Sequence, residues 1–261
     1  MNKVAILGCG WLGFPLAEQL LKDHHHVNGS TTSSEKIAAL TNSGIKSYKI
    51  TLETSSTDLS EFLDVDHLII TIPPKTKNYA ILVENLIHQI ERSPIKHVIY
   101  TSSISVYGNA QGIISEENKT SPTRNSVAQI LTVEKLLLKN KNFKTTILRL
   151  GGLIGGKRHP AYYVSGKQLK APNELINLVH LDDCITAIQQ LLNARTTNNI
   201  FNLVYPYHPT KASYYSYCCK TLNIPEPITK SNTYIALVKK VSSKKIMTVL
   251  NYEFKNNLIL S

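Results

Sequence analysis

KVAILGCGWLG, Lys3 to Gly13, decides how the rest of the chain is read. Its first five residues form a short apolar run bounded by glycine, which reads as a buried strand. GCGWLG follows directly, a G-x-G-x-x-G that opens a helix-period segment from Leu12 to Lys22. In that setting each glycine has its own task. Gly8 makes the tight turn, Gly10 lets the backbone approach a pyrophosphate, and Gly13 allows the helix to pack closely on the sheet. The phosphates are expected at the helix N-terminus, against Trp11 and Leu12. The competing reading is a plain tight turn between strand and helix.

Working outward, short apolar runs alternate with helix-period segments. HVNGS is a second strand, Ser34 to Ser43 a helix and KSYKITL a third strand. HLIITI (67–72) is a fourth strand, Tyr79 to Arg92 a helix, HVIYTS a fifth strand, Val127 to Lys139 a helix and TTILRL a sixth strand. This alternation predicts an α/β protein, a Rossmann-like doubly wound parallel sheet with a small C-terminal cap. Residues 1–155 form the expected dinucleotide-binding core and 156–261 a reduced substrate-binding cap, with 176–204 returning to the core sheet. GKRHPAYYVSGKQLKAPNE reads as loop, NLVHLDDCITAIQQLL leads into a helix, NIFNLV is a strand, and the remainder reads as helical.

The 261 residues, 42% of them hydrophobic, suffice for one sizeable core or a core plus a cap. No apolar run reaches the roughly 18 residues of a membrane helix. The run before Cys9 is shorter than the roughly 7 apolar residues of a signal core. The expectation is a cytoplasmic protein without membrane contact. Cys9, Cys184, Cys218 and Cys219 show neither a disulfide framework nor metal-ligand spacing, so no metal is expected. Of the net charge of +11, +6 lies between Tyr205 and Ser261, where eight lysines face Glu226 and Glu253. VKKVSSKKIMTVL reads as a helix with lysines on its wet face, and without a nucleic-acid motif the excess does not argue for a nucleic-acid partner.

An NAD site should place a carboxylate at the end of the second strand, where it holds both ribose hydroxyls. This strand ends instead in Gly29, Ser30, Thr31 and Thr32, with Lys36 one helical turn on. Hydroxyls and a nearby cation suit a 2′-phosphate, so NADP(H) is favoured and NAD(H) stays open; the alternative use of these residues is helix capping. The fourth strand ends in Ile72, Pro73 and Pro74, and proline cannot continue a central ladder. Pro73 is therefore expected where the chain turns along the cofactor crevice, with Lys75 a solvated neighbour or a phosphate contact.

The glycine loop, TSSISVYG (101–108), LRLGGLIGG (148–156) and NLVHLDD (177–183) stand in an order and spacing that resembles the extended and atypical short-chain dehydrogenases/reductases. These are the NAD(P)-dependent epimerase/dehydratase family, and the resemblance runs from about residue 3 to 255. GWLG, SSxSVYG, GLxGxxRHP and NLVHLxD look like its YeeZ-type branch. KKIMTVLNYEF looks like the family's C-terminal helix and closing turn, with Asn251 in place of glycine. The resemblance implies that Ser103 hydrogen-bonds the substrate oxygen, that Ser102 lies against the nicotinamide ribose, and that Gly152 and Leu153 contact the carboxamide. Tyr107 of such a VYG motif is an acid/base candidate only if it points into the site; in the family it more often packs under its loop.

The same resemblance exposes a departure. Family members carry Tyr-x-x-x-Lys on the helix after the fifth strand, and alignment on Glu134 puts Ser126 and Ile130 at those positions. A tyrosine unassisted, with a pKa near 10, is ionised only about one part in a thousand at neutral pH, and a serine is poorer still. His159 titrates near neutrality and is the candidate proton donor, with His180 as another histidine on the substrate side. Lys157 and Arg158, on a loop bordered by glycine, are candidates for a substrate phosphate or carboxylate; the alternative is a solvated basic loop. His180 and Asp182 are expected to fix the turn into the next helix, with Asp182 or Asp183 as its cap. Two functions stay open. One is an oxidoreductase or epimerase-like enzyme, monomer or homodimer, reducing a small anionic or nucleotide-linked carbonyl compound; the other is a non-catalytic dinucleotide sensor. A hydroxyacid dehydrogenase would need a large all-helical second domain for which the chain has no room.

Overall fold

The parallel sheet is laid out from β1 (Lys3–Leu7), whose Val4, Ala5 and Ile6 are wholly buried. A strand covered on both faces has no polar alternation, which is why KVAIL reads as a continuous apolar run. The computed structural model describes residues 1–52, 57–76, 78–194, 198–229 and 238–256. From β1 the chain passes through α1 (Gly13–Lys22), β2 (His26–Thr31), α2 (Ser34–Asn42) and β3 (Lys46–Lys49). It then returns to β4 (His67–Ile70) on the other side of β1, and continues through α3 (Tyr79–Ile90) to β5 (His97–Ser103). A single 3-10 turn, Ile104–Tyr107, leads to β6 (Gly112–Ile114), α4 (Asn125–Lys139) and β7 (Lys144–Leu150). Beyond these lie β8 (Gly152–Ile154), α5 (Ala161–Val164), β9 (Leu178–His180), α6 (Leu181–Asn193), β10 (Asn199–Leu203), α7 (Lys211–Thr221), β11 (Lys239–Val241) and α8 (Lys244–Val249).

The seven-stranded sheet has the order β10-β7-β5-β4-β1-β2-β3, so its winding reverses between β1 and β4. The expected doubly wound parallel sheet is present. The reversal point matters for function, because the connections leaving β1 and β4 diverge there and open a crevice at the strands' C-terminal ends.

By internal packing the chain forms two units. One contains Met1–Val106, Pro122–Arg149 and Ile185–Ile200; the other contains Tyr107–Ser121, Leu150–Cys184 and Phe201–Ser261. The second unit contains two small parallel sheets, β6 with β11 and β8 with β9, as well as helices. VKKVSSKKIMTVL is therefore not one helix. Lys239–Val241 pair with Gly112–Ile114 as β11, and the helix starts only at Lys244. The break lies at Ser242 and Ser243. The buried Ser243 hydroxyl accepts from the Val204 amide at 2.8 Å and donates to its carbonyl at 2.9 Å, while Ser242 Oγ accepts the Lys244 amide at 3.2 Å. These bonds take the place of helical ones. Further along, Asn251 has φ +49°, the left-handed conformation that its glycine-like position in the closing turn requires.

At the N-terminal edge of the sheet, His97 on β5 is 5% exposed and bonds Thr146 Oγ1 at 2.9 Å, with the His67 ring edge-on at 5.8 Å. Burial first, and the neighbouring His67 second, push the His97 imidazole down to about 4. The folded state thus resists a proton that the unfolded chain accepts near pH 6.5. Its stability is full above about pH 6.5 and falls as pH drops toward 4, by on the order of 3 kcal/mol. Thermal melts at pH 7 and pH 5 should show this loss, and His97→Gln should flatten it.

Candidate functional site

The glycine loop leaves β1 at Gly8, whose φ of +107° only glycine adopts without strain. A Cβ at Gly13 would fall on the Gly8 carbonyl oxygen and lie 3.0 Å from Thr71 Oγ1, so α1 can approach this closely only without a side chain. At Gly10, by contrast, a Cβ would meet nothing within 4 Å, and the residue is exposed. The three glycines thus divide into a turn, an open face and a packing contact. Gly13 begins the ten-residue helix α1 after its cap Leu12; the Phe14 amide is taken by the Gly10 carbonyl at 3.0 Å, which leaves the Leu12 and Gly13 amides at the positive end of the helix dipole. Pro15 sits in the first turn, where its missing N–H removes no helical bond. This is a cradle of donors with one unobstructed backbone face, and a dinucleotide pyrophosphate fits it.

Two hydroxyls hold the loop. Ser30, 2% exposed at the end of β2, accepts the Gly8 amide on its Oγ at 3.0 Å and the Cys9 amide on its carbonyl at 2.7 Å. From the opposite side Thr71, just beyond β4, donates its hydroxyl to the Gly8 carbonyl at 2.7 Å. The Ser30 hydroxyl is therefore engaged with the loop rather than pointing from the strand tip. Thr31 Oγ1 accepts the Ser33 amide at 3.2 Å. Thr32, Ser34, Glu35 and Lys36 are exposed at this tip. Cys9 is buried within the loop, and burial pushes its thiol up to about 12, which leaves it inert. Along the neighbouring edge Pro73 is exposed after Ile72, and the Ile72 carbonyl accepts the buried Tyr79 hydroxyl at 3.1 Å. Tyr79 in turn bonds Tyr100 at 3.1 Å, and burial raises both phenols, so neither ionises near neutral pH.

The TSSIS edge lies at the C-terminal end of β5. Ser102 is 6% exposed and donates a short hydrogen bond to Glu134 of α4. That carboxylate also accepts Arg149 Nε at 3.0 Å and the terminal Nη2 at 2.6 Å, and both charged side chains are at most 3% exposed. The Ser102 proton thus belongs to a buried ionic network joining β5, α4 and β7. Ser103 differs. Its Oγ accepts both the amide of Ser105, at 3.1 Å, and the Ser105 hydroxyl, at 2.8 Å. With both lone pairs occupied, its own O–H remains available to a ligand. On α4, Ser126 is exposed and Ile130 is 7% exposed, packed as a core residue where the resembled family carries lysine.

The second unit positions the other candidates. Tyr107 is wholly buried and donates to Asn202 Oδ1 at 2.8 Å, packed beneath its loop as expected. Lys239 Nζ donates to the Gly108 carbonyl at 2.8 Å, and burial lowers its pKa. Gly152 is exposed and Leu153 half-buried on β8, and the Gly152 amide donates to the Asn177 carbonyl at 2.8 Å. Gly155 and Arg158 exchange backbone bonds of 3.3 and 3.0 Å, closing a tight turn with Lys157 and Arg158 exposed at its tip. His159 follows, half-buried. Its Nδ1 accepts the Ala161 amide at 3.3 Å, and burial lowers its pKa. At neutral pH it is a neutral imidazole with its proton on Nε2, a hydrogen-bond donor rather than a strong acid. His180 Nδ1 accepts the Asp182 amide at 3.3 Å, and its ring covers Gly155 so closely that a Cβ there would clash. Asp183 is fully buried and accepts the Lys255 amide at 2.9 Å and the Tyr252 hydroxyl at 3.2 Å. Asp182 and Asp183 thus have structural contacts at the start of α6.

Sequence reasoning missed Thr71, read only as a strand residue, and also Ser105 and Arg149. Each reveals itself by a partner remote from any recognisable motif or by a bond the motif does not predict. The glycine cradle, the reversal point and the strand tips define a dinucleotide-binding protein, and the comparisons agree. A family of NAD(P)H-binding domains matches residues 8–188, and the chain belongs to that family. Protein YeeZ of Escherichia coli strain K12 is 35% identical over 264 residues, which cover 98% of this chain and 96% of that protein. Among solved structures, UDP-glucuronic acid 4-epimerase of Bacillus cereus in complex with NAD superposes with a TM-score of 0.81 at 21% identity, covering 98% of this chain and 93% of that one. UDP-glucose 4-epimerase of Thermotoga maritima with UDP-glucose gives 0.82 at 16% identity, covering 99% and 95%. The fold is that of the NAD-dependent epimerases and dehydratases. Among the described residues no helix is long and apolar enough to cross a membrane, and no group of three or more metal-ligating side chains is present.

Two outcomes follow for the loop and the network. Ser30→Ala leaves the Gly8 amide unpartnered and Thr71→Val leaves the Gly8 carbonyl with the Gly10 amide alone, at 2.7 Å, and each should weaken NADPH and NADH binding alike by about tenfold, measured by calorimetry. Arg149→Met strands the Glu134 carboxylate and should lower unfolding stability by about 3 to 5 kcal/mol in denaturant titrations.

Proposed function

We propose that the protein is an NADP(H)-dependent reductase of a small anionic carbonyl compound. The observation that carries this reading is the Ser103 hydroxyl. It stands at the C-terminal end of β5, on the same strand edge as the glycine loop, with both acceptor sites filled by Ser105 and one proton left to donate. A donor fixed in this way suits a carbonyl oxygen on which negative charge develops. When bound, reduced nicotinamide would supply the hydride to the carbonyl carbon.

In this reading the residues divide the work as follows. Gly8, Gly10, Trp11, Leu12 and Gly13 hold the pyrophosphate. Ser30 sets the loop from below, and Thr31 and Thr32 with Lys36 receive the adenosine ribose. The absence of a carboxylate in Gly29–Thr32, together with the exposed lysine at 36, supports the 2′-phosphate of NADP(H). Pro73, Gly152 and Leu153 present backbone to the cofactor, and Ser102 acts through Glu134 to hold the β5 end. In the second unit the Lys157–Arg158 tip is assigned a substrate phosphate or carboxylate, and His159 offers Nε2–H as a further donor. The structural neighbours that bind UDP-glucose or act on UDP-glucuronic acid make a nucleotide-linked substrate a reasonable member of the test panel.

A second reading is supported by the exposed Ser126 and the buried Ile130. With no tyrosine at position 126 and no lysine at position 130, the chain would be a dinucleotide sensor without chemistry. The two readings separate experimentally. A reductase binds NADPH about tenfold more tightly than NADH and consumes it with at least one member of a panel of phosphorylated, carboxylated and nucleotide-linked aldehydes and ketones. Ser103→Ala then lowers kcat by about 100-fold with NADPH affinity unchanged, and Thr32→Asp erodes the preference for NADPH. Binding without turnover across the panel establishes the sensor instead.

A further inference from the structure

A carbonyl reduction needs a proton as well as a hydride, and α4 carries Ser126 and Ile130 at the positions where the resembled family has the tyrosine and lysine that supply one. We propose that Ser105 and Ser103 form a two-hydroxyl relay that carries the proton from solvent to the substrate oxygen. This rests on the reductase reading above and goes beyond it by naming the proton's route.

The geometry has a direction. Ser105 Oγ donates to Ser103 Oγ at 2.8 Å, and the Ser105 amide donates to the same oxygen at 3.1 Å. Ser103 is thereby turned so that its own proton points away from Ser105, which makes the chain Ser105 O–H to Ser103 O–H to ligand continuous. Ser105 sits in the 3-10 turn Ile104–Tyr107 and is partly exposed, and the relay draws its proton from solvent there. Ser102, the other hydroxyl of this edge, cannot serve, because its proton is held by the buried Glu134.

The step balances. As the carbonyl carbon is reduced, the C=O π pair moves onto oxygen and a new O–H bond forms there as the Ser103 O–H breaks. Ser103 Oγ takes the Ser105 proton, and Ser105 takes one from a water whose hydroxide is neutralised by the buffer in bulk solvent, so the net proton comes from solvent and both serines end as they began. A serine hydroxyl is far too weak an acid to act by ionising first. It has, however, an acidity close to that of the alcohol being made, so concerted transfer along the chain is nearly level in free energy. Each donation also strengthens the next, which makes Ser103 a better donor while Ser105 is present.

Ser105→Ala tests this well, because the backbone amide bond to Ser103 survives and only the hydroxyl is lost. With the most rapidly reduced panel compound, the relay predicts a kcat about 10- to 100-fold lower in Ser105→Ala, with NADPH affinity within about twofold, the precision that a calorimetric comparison resolves. It predicts near-full activity in Ser105→Thr. In mixtures of H2O and D2O the wild-type kcat should bend as more than one proton moves in the same step, and the Ser105→Ala plot should be straight. A readout without turnover is the infrared C=O stretch of the same compound, 13C-labelled, bound in a dead-end complex with NADP+. Its shift to lower frequency should shrink in Ser105→Ala and recover in Ser105→Thr. An active wild type whose Ser105→Ala variant keeps its kcat, its isotope curve and its carbonyl shift overturns the relay alone. A wild type that reduces no panel compound overturns the reductase reading, and the relay with it.

Discussion

Gly8 is held on two sides at once. Ser30 takes its amide and Thr71 donates to its carbonyl, and the rest of the site depends on that clamp. A glycine at φ +107° is conformationally free, and an unrestrained loop would lose that freedom only on binding. Here the two strand ends beside β1 fix it beforehand. A ligand then meets oriented amides and bears little of the ordering entropy. The clamp also explains the order of the sheet around it. β2 and β4 are the two neighbours of β1, and a hydroxyl from the end of each reaches the same residue, Gly8.

The TSSIS edge follows the same economy of bonds. Ser102 faces inward to the Glu134 and Arg149 pair, while the next serine faces Ser105, so adjacent residues on one strand end are sorted into a buried anchor and a ligand-facing donor. Alternation along a strand produces this sorting without further devices. The buried ion pair is bidentate and satisfied on every side that the network reaches, the condition under which buried charge is tolerated. It ties α4 to β5 and β7 in the place where a resembled family would anchor its catalytic helix residues. α4 therefore remains a structural element here, with Ile130 packed into the core.

Much of this was legible in the sequence because it is local. The glycine spacing after KVAIL, the alternation of apolar runs and helical periods, and the proline pair after HLIITI depend on residues close in the chain, and each element appears where its pattern placed it, with ends shifted by a few residues. Ser30 reads from the sequence as a residue of the strand tip, and its hydroxyl bonds the loop instead, a pairing that nothing local reveals because Gly8 lies 22 residues away. VKKVSSKKIMTVL misled for the same reason. Its lysine spacing suits a helix, yet β11 exists only through β6, more than a hundred residues earlier. Thr71 and Arg149 carry no motif at all. Their roles come from partners that only the folded sheet brings within reach.

The central claim is that the clamped glycine loop and the β2 tip form one preorganised cofactor surface. Hydrogen exchange at single-amide resolution, with and without saturating NADPH, tests it most directly. The account predicts slow exchange at the Gly8 and Cys9 amides already in the free protein. On addition of NADPH, new protection should appear at Leu12, Gly13 and the residues from Thr31 to Lys36. Fast exchange at Gly8 and Cys9 in the free protein, or unchanged exchange at Leu12 and Gly13 with NADPH bound, would contradict it.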